Sequence, residues 1–148
     1  IYEIIARTVL NLTRFVNMRV FEVGDNSFSY VEEVHLIGLS KLERVVIGKH
    51  CFTLPAWEGV NEDNSFYLKN CERLRELRIG SQSFVEYSVF DVENVPSLEV
   101  IEIGNVLKDN RNFYATRQFE LKSVFDGVRM TNRFAQIEIA YSWWIGVP

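Results

Sequence analysis

His35 and His50 are the two imidazoles of this chain, and Cys51 and Cys71 are its two thiols. A general base or a metal site built on them would need further ligands close by. No Cys/His/Asp grouping has that spacing. Glu58, Glu62 and Asp63 bring three acids together, but their order lacks the alternating oxygen ligands of an EF-hand loop. Gly48-Lys49 lacks the upstream glycine and the following Ser/Thr of a phosphate-cradling loop, and no nucleophile elbow occurs. These residues predict no catalytic group, no metal ligand and no cofactor. The chain is expected not to be an enzyme.

Two cysteines are too few for a disulfide framework. Buried free thiols are the expectation, which leans toward a reducing, intracellular compartment. The sequon Asn11-Leu12-Thr13 keeps a cell-surface location open as the alternative.

The charged residues are more regular than the nucleophiles. Nine of them sit inside four apolar phrases that each end in glycine: MRVFEVG (18–24), LERVVIG (42–48), LRELRIG (74–80) and LEVIEIG (98–104). The glycines Gly24, Gly48, Gly80 and Gly104 are separated by 24, 32 and 24 residues. That is one unit of 24 residues, once lengthened by eight. Self-similarity at this period predicts stacked units that bury their apolar sides only against their neighbours.

With the first residue of each phrase as position 1, position 4 is Phe21, Val45, Leu77 and Ile101, and position 6 is Val23, Ile47, Ile79 and Ile103. Phe28, Phe52 and Phe84 occupy position 11. A second apolar cluster falls at positions 17, 19 and 22, as in Val34, Leu36 and Leu39. Leu10, Leu12 and Phe15 form the same cluster ahead of the first phrase. Phe119, Leu121 and Val124 form it after the fourth, and a partial unit from Phe134 to Trp144 closes the pattern. Alternation at positions 4 to 6 and 17 to 19 has the period of half-buried strands, and no stretch sustains a helical period. Glycine at position 7 marks a strand end, and its replacement by Ala140 argues for tight packing over an obligatory left-handed backbone.

The L-x-x-L-x-L/I register with a large apolar residue at position 11 resembles the leucine-rich repeat. The Gly-x-x-Ser-Phe and Gly-x-x-Cys-Phe phrases resemble its BspA-type subclass of bacterial and protist surface proteins. One departure concerns position 9, usually Asn in that family, which here is Asn26, His50, Gln82 and Val106. The resemblance implies a leucine-rich-repeat solenoid, mostly β, of about five stacked coils of roughly 24 residues, with two parallel sheets and little helix. A right-handed parallel β-helix is the competing architecture. Residues 1–148 read as a single segment, and because they start and stop in mid-repeat the expectation is a fragment of a longer array.

On the exposed side of the first strand, position 2 reads Arg19, Glu43, Arg75 and Glu99. Position 3 reads Val20, Arg44, Glu76 and Val100, and position 5 reads Glu22, Val46, Arg78 and Glu102. Stacking at about 4.8 Å would pair Arg44 with Glu76 and Arg78 with Glu102, which opposite charges favour. The same face is a candidate for binding a partner. Insertions in such arrays fall on loops near binding faces, and the insertion of residues 54–64 carries Trp57, the residue type most enriched at interface hot spots. Arg44, Glu76, Arg78, Glu102 and Trp57 are therefore the candidate binding residues.

The net charge of −4 and the absence of a basic stripe argue against nucleic acid. No apolar run is long enough to span a membrane. The resemblance implies a non-catalytic protein–protein recognition module. A structural or cell-surface repeat protein that associates with like chains is the alternative, and a glycan-active β-helix enzyme, centred on Arg78, Glu99 and Glu102, ranks last.

Overall fold

A computed structural model describes residues 7–53, 63–104 and 112, together with the backbone of Gln118–Lys122. Trp57, most of the 54–64 insertion and the closing unit from Phe134 lie outside the described residues. The described chain is mostly strand, with no helix among the described residues.

Nine strands run β1 (Val9–Asn11), β2 (Val20–Val23), β3 (Glu33–Ile37), β4 (Arg44–Ile47), β5 (Ser65–Lys69), β6 (Glu76–Ile79), β7 (Val89–Glu93), β8 (Val100–Ile103) and β9 (Gln118–Lys122). Odd-numbered strands form one sheet in the order β1-β3-β5-β7-β9, and even-numbered strands form the other, β2-β4-β6-β8. Every pairing is parallel. The register follows the period in the sequence: Val20 pairs with Arg44, Arg44 with Glu76, and Glu76 with Val100. Phe90 pairs with Phe119, so the lengthening of the chain between β7 and β9 leaves the register intact.

The apolar columns meet between the sheets. Leu42, Leu74, Val45, Leu77 and the position-17 and position-19 residues Val34, Phe66, Phe90, Leu36, Leu68 and Val92 are fully buried. Each such side chain contributes about 1.5–3 kcal/mol relative to exposure. Aromatic rings stack through the layers: Phe28 on Phe52 at 5.2 Å, Phe52 on Phe84 at 4.8 Å, and Phe66 on Phe90 at 5.1 Å. Tyr87 packs edge-on against Phe84 and donates its hydroxyl to the Val31 carbonyl. Burial, and then the neighbouring Glu86 carboxylate, push that phenol far above its ordinary range.

The first layer behaves differently. Phe15, expected at an inward position, is 57% exposed, whereas its equivalent Leu39 is fully buried. Leu39 has a layer on both sides, while Phe15 has only one among the described residues. Tyr30, Val16, Val9, Val20 and Phe28 are exposed at the same end.

The backbone ladder continues through the turn after each even strand. Gly48, Gly80 and Gly104 donate their amides to Val23, Ile47 and Ile79 of the preceding layer. Phe52 and Phe84 donate to Ser27 and Cys51 in the same sense, while Asn26 and His50 donate forward to Lys49 and Ser81. A left-handed backbone at positions 9 and 11 makes this possible. Asn26, His50 and Gln82 have φ of 59°, 53° and 62°, and Phe28, Phe52 and Phe84 have 57°, 53° and 58°. Amides close this turn at position 9, where the leucine-rich repeat would use an asparagine side chain.

Candidate interaction surface

The outward face of the four-stranded sheet carries position 3 and position 5 in straight columns, because in-register parallel pairing sets equivalent residues side by side. Arg44 Nε lies 3.3 Å from Glu76 Oε2, and Arg78 Nε lies 3.3 Å from the same oxygen. Arg78 Nη1 also pairs with Glu102 Oε2. Arg44, Glu76, Arg78 and Glu102 thus form one connected chain of charge across three strands. Burial works against the Glu76 carboxylate, but Arg78 and then Arg44 outweigh it and hold its pKa below the ordinary value. Just before this sheet, Arg75 grips Glu99 with bonds of 3.1 and 3.2 Å, and Arg19 approaches Glu43 at 3.9 Å. Opposite charges therefore alternate along position 2 as the spacing predicts.

The outward face of the five-stranded sheet is aromatic and acidic at its centre. His35 and Tyr67 are register partners with ring centroids 5.2 Å apart, and His35 Nε2 contacts the Glu33 carboxylate. Lys69 reaches Asp91 at 3.0 Å and Glu93 at 3.6 Å. The hydrogen bond to Asp91 raises the Lys69 ammonium pKa against the opposing effect of burial. His50 lies in the exposed turn after β4. The two imidazoles are on different faces and are not brought together.

Cys51 and Cys71 are buried and free. Cys51 Sγ donates to the Gly24 carbonyl at 3.1 Å, and one layer on Ser83 Oγ donates to the Gly48 carbonyl at 2.8 Å. The next member of this column is Asn112, fully buried, whose Nδ2 donates to the Gly80 carbonyl at 2.7 Å. Sequence reasoning missed Asn112. The signal was present: removing five residues after Gly104 puts Asn112 at position 10, where Ser27, Cys51 and Ser83 stand. Burial drives both thiol pKa values up, which keeps them protonated and poorly nucleophilic. Asn11 is exposed, and its Oδ1 accepts the Thr13 hydroxyl at 2.7 Å.

An open groove of about 510 Å³ runs along the turn that leads into the four-stranded sheet. Arg73, Arg75, Ser97, Glu43 and Glu99 line it, beside the core residue Leu98. Among the described residues, no group of three or more His, Cys, Asp or Glu is placed to hold a metal ion. No helix among them is long and apolar enough to cross a membrane. The chain matches no family model, no curated protein and no solved structure.

Proposed function

We propose that this chain is a non-catalytic recognition module of the leucine-rich-repeat type, a solenoid that binds a protein partner through the outward face of its four-stranded sheet. The supporting observation is the register. Positions 3 and 5 recur on adjacent strands without a slip from β2 to β8, so the sequence writes side chains onto a fixed lattice. Arg44, Glu76, Arg78 and Glu102 fill the middle of that lattice with mixed charge, which confers specificity and steers encounter more than it adds affinity. Trp57, which lies outside the described residues, remains part of the proposal as a binding residue of the insertion.

The test is a photo-crosslinking amino acid placed at Val46, which shares a column with Arg78 and Glu102. The module reading expects an adduct with a different polypeptide, and no such adduct from a probe at Tyr67 on the opposite sheet. Equal labelling from both faces would count against it.

A second reading is favoured by a separate observation. Val9, Phe15, Val16, Val20, Phe28 and Tyr30, the large exposed apolar side chains among the described residues, all fall in the first layer. There β1 and β2 each have one strand edge unpaired among the described residues, and such edges invite pairing with a like chain. Light scattering across a concentration series tests it. Growth of the particle with concentration, abolished by Val20→Lys with Phe15→Glu, would favour self-association. A constant monomer mass would exclude it.

A further inference from the structure

We propose that Asn11 is an N-glycosylation site whose glycan covers the open edge of the first layer. The inference goes beyond the recognition reading, since it concerns a covalent modification and not a partner. Asn11-Leu12-Thr13 is the single Asn-x-Ser/Thr sequence of the chain. Its geometry is that of a presented acceptor. Asn11 ends β1 with its side chain exposed, and Leu12 between the two polar residues is buried. The Thr13 amide and hydroxyl both donate to Asn11 Oδ1, at 3.1 and 2.7 Å. Oδ1 is thereby engaged, while Nδ2, the atom that takes the sugar, has no hydrogen-bond partner among the described residues. Such a turn joins residues two apart, so it forms before the layers stack.

The repeat shows how selective the position is. Asn11 and Thr13 stand at positions 18 and 20, where the next three layers carry His35 and Ile37, Tyr67 and Lys69, and Asp91 and Glu93. None of those pairs joins an asparagine to a hydroxyl. The inner members of the column are also packed: the His35 and Tyr67 rings lie 5.2 Å apart, Lys69 reaches Asp91 at 3.0 Å, and Asp91 is buried. Among the described layers, a substituent as large as an oligosaccharide has room on this column in the first.

The surroundings of Asn11 supply the second observation. Val9 shares the outward face of β1 with Asn11, and Phe15 and Val16 follow in the next turn; all three are exposed. One edge of β1 is unpaired among the described residues. An open edge beside exposed apolar side chains promotes association unless something blunts it. A bulky hydrophilic glycan, rooted two residues from Val9 and four from Phe15, does so. Cys51 and Cys71 are both buried, so an oxidising secretory compartment finds no exposed thiol to capture.

The co-reactant is a polyprenyl-diphosphate-linked oligosaccharide, and the catalyst is a membrane-bound transferase. A bond forms between Asn11 Nδ2 and the sugar C1 as the C1–O bond to the diphosphate breaks. The diphosphate leaves with that electron pair, Nδ2 gives up one hydrogen as a proton, and nothing is oxidised or reduced.

Occupancy is read by peptide mass spectrometry on the full-length protein from its own cells, digested with peptide N-glycosidase in heavy-oxygen water. Labelled Asp at position 11 is expected, with the label lost in Thr13→Ala and kept in Thr13→Ser. Unmodified Asn11 throughout, or label that persists in Thr13→Ala, would overturn the site. Light scattering then compares the glycosylated protein with the digested one and with Asn11→Gln from the same cells. A constant mass is expected for the glycosylated form, and growth with concentration for the other two. Identical behaviour of all three would overturn the covering role. The crosslink from Val46, on the other sheet, is judged separately.

Discussion

Replacing Gly80 with alanine puts a methyl group where the stack has no room. A Cβ built on Gly80 would lie 2.5 Å from both the carbonyl carbon and the carbonyl oxygen of Gly48, and 2.7 Å from the Lys49 amide nitrogen. Ordinary carbon contacts are about 3.5–4.0 Å, so the shortfall is about 1 Å. All three obstructing atoms are backbone, and no side-chain rotation relieves them. Overpacking of this kind costs about 1–3 kcal/mol. The loss of glycine freedom in the unfolded chain returns about 0.4–1 kcal/mol. The net effect is a destabilisation of about 1–2 kcal/mol, or a drop in Tm of roughly 2–8 °C. Gly24 is the internal control: it occupies the same place in the first layer, with nothing within 4 Å of its added Cβ and no positive φ. Gly24→Ala is expected to hold or raise Tm. Thermal melts by circular dichroism and urea titrations of both variants measure the difference. If Gly80→Ala proved as stable as Gly24→Ala, the tight stacking of the glycine column would be refuted.

Three other perturbations probe separate parts of the structure. Gly38 has φ +70° with open space around it, so Gly38→Ala should cost about 1 kcal/mol from backbone strain alone. Gly38→Asn should cost much less in the same urea titration, since Asn70 and Asn94 hold this conformation at the equivalent positions. Because the pKa of Glu76 is lowered in the fold, the unfolded carboxyl takes up its proton first as pH falls below about 4.3. The stability from Arg44 and Arg78 is complete above that range and is lost as pH drops through the folded value, and Glu76→Gln should flatten this acid limb of a stability–pH profile. For Cys51 and Cys71, whose pKa values are raised by burial, a thiol reagent at pH 8 should react much more slowly in the native state than in urea. The same shifts make stability fall as pH climbs above about 8.5, where only the unfolded thiols ionise.

The parallel sheets were legible because apolar period 2 recurs inside a longer fixed period, and both survive a single reading of the chain. Leu42, Val45 and Ile47 declare an inward face, and their counterparts 32 residues on, Leu74, Leu77 and Ile79, repeat it. The ion pairs Arg44–Glu76 and Arg78–Glu102 followed from that register alone. Other features depend on what lies next door, which periodicity does not encode. Phe15 matches the inward pattern and is exposed because it belongs to the first layer. Phe28, Phe52 and Phe84 look like ordinary core residues, yet their left-handed backbone is imposed by the turn and by ring stacking, contrary to the usual preference of a bulky side chain. Asn70 and Asn94 did carry a signal, since Gly38 precedes them in the column and all three types tolerate this conformation.

We propose that the charged lattice on the four-stranded sheet serves recognition beyond holding adjacent strands together. The most direct measurement compares Arg78→Glu with the swapped pair Arg78→Glu, Glu102→Arg, scoring urea stability and partner crosslinking from Val46 in the same preparations. Pairing across the layers predicts that the single variant loses stability and that the swap recovers only part of it, because it restores the pair between residues 78 and 102 but not the Arg78–Glu76 contact. Recognition predicts that the crosslink stays lost in the swapped protein despite the recovered stability. Return of the crosslink together with stability would leave these columns a purely structural role and refute recognition through them.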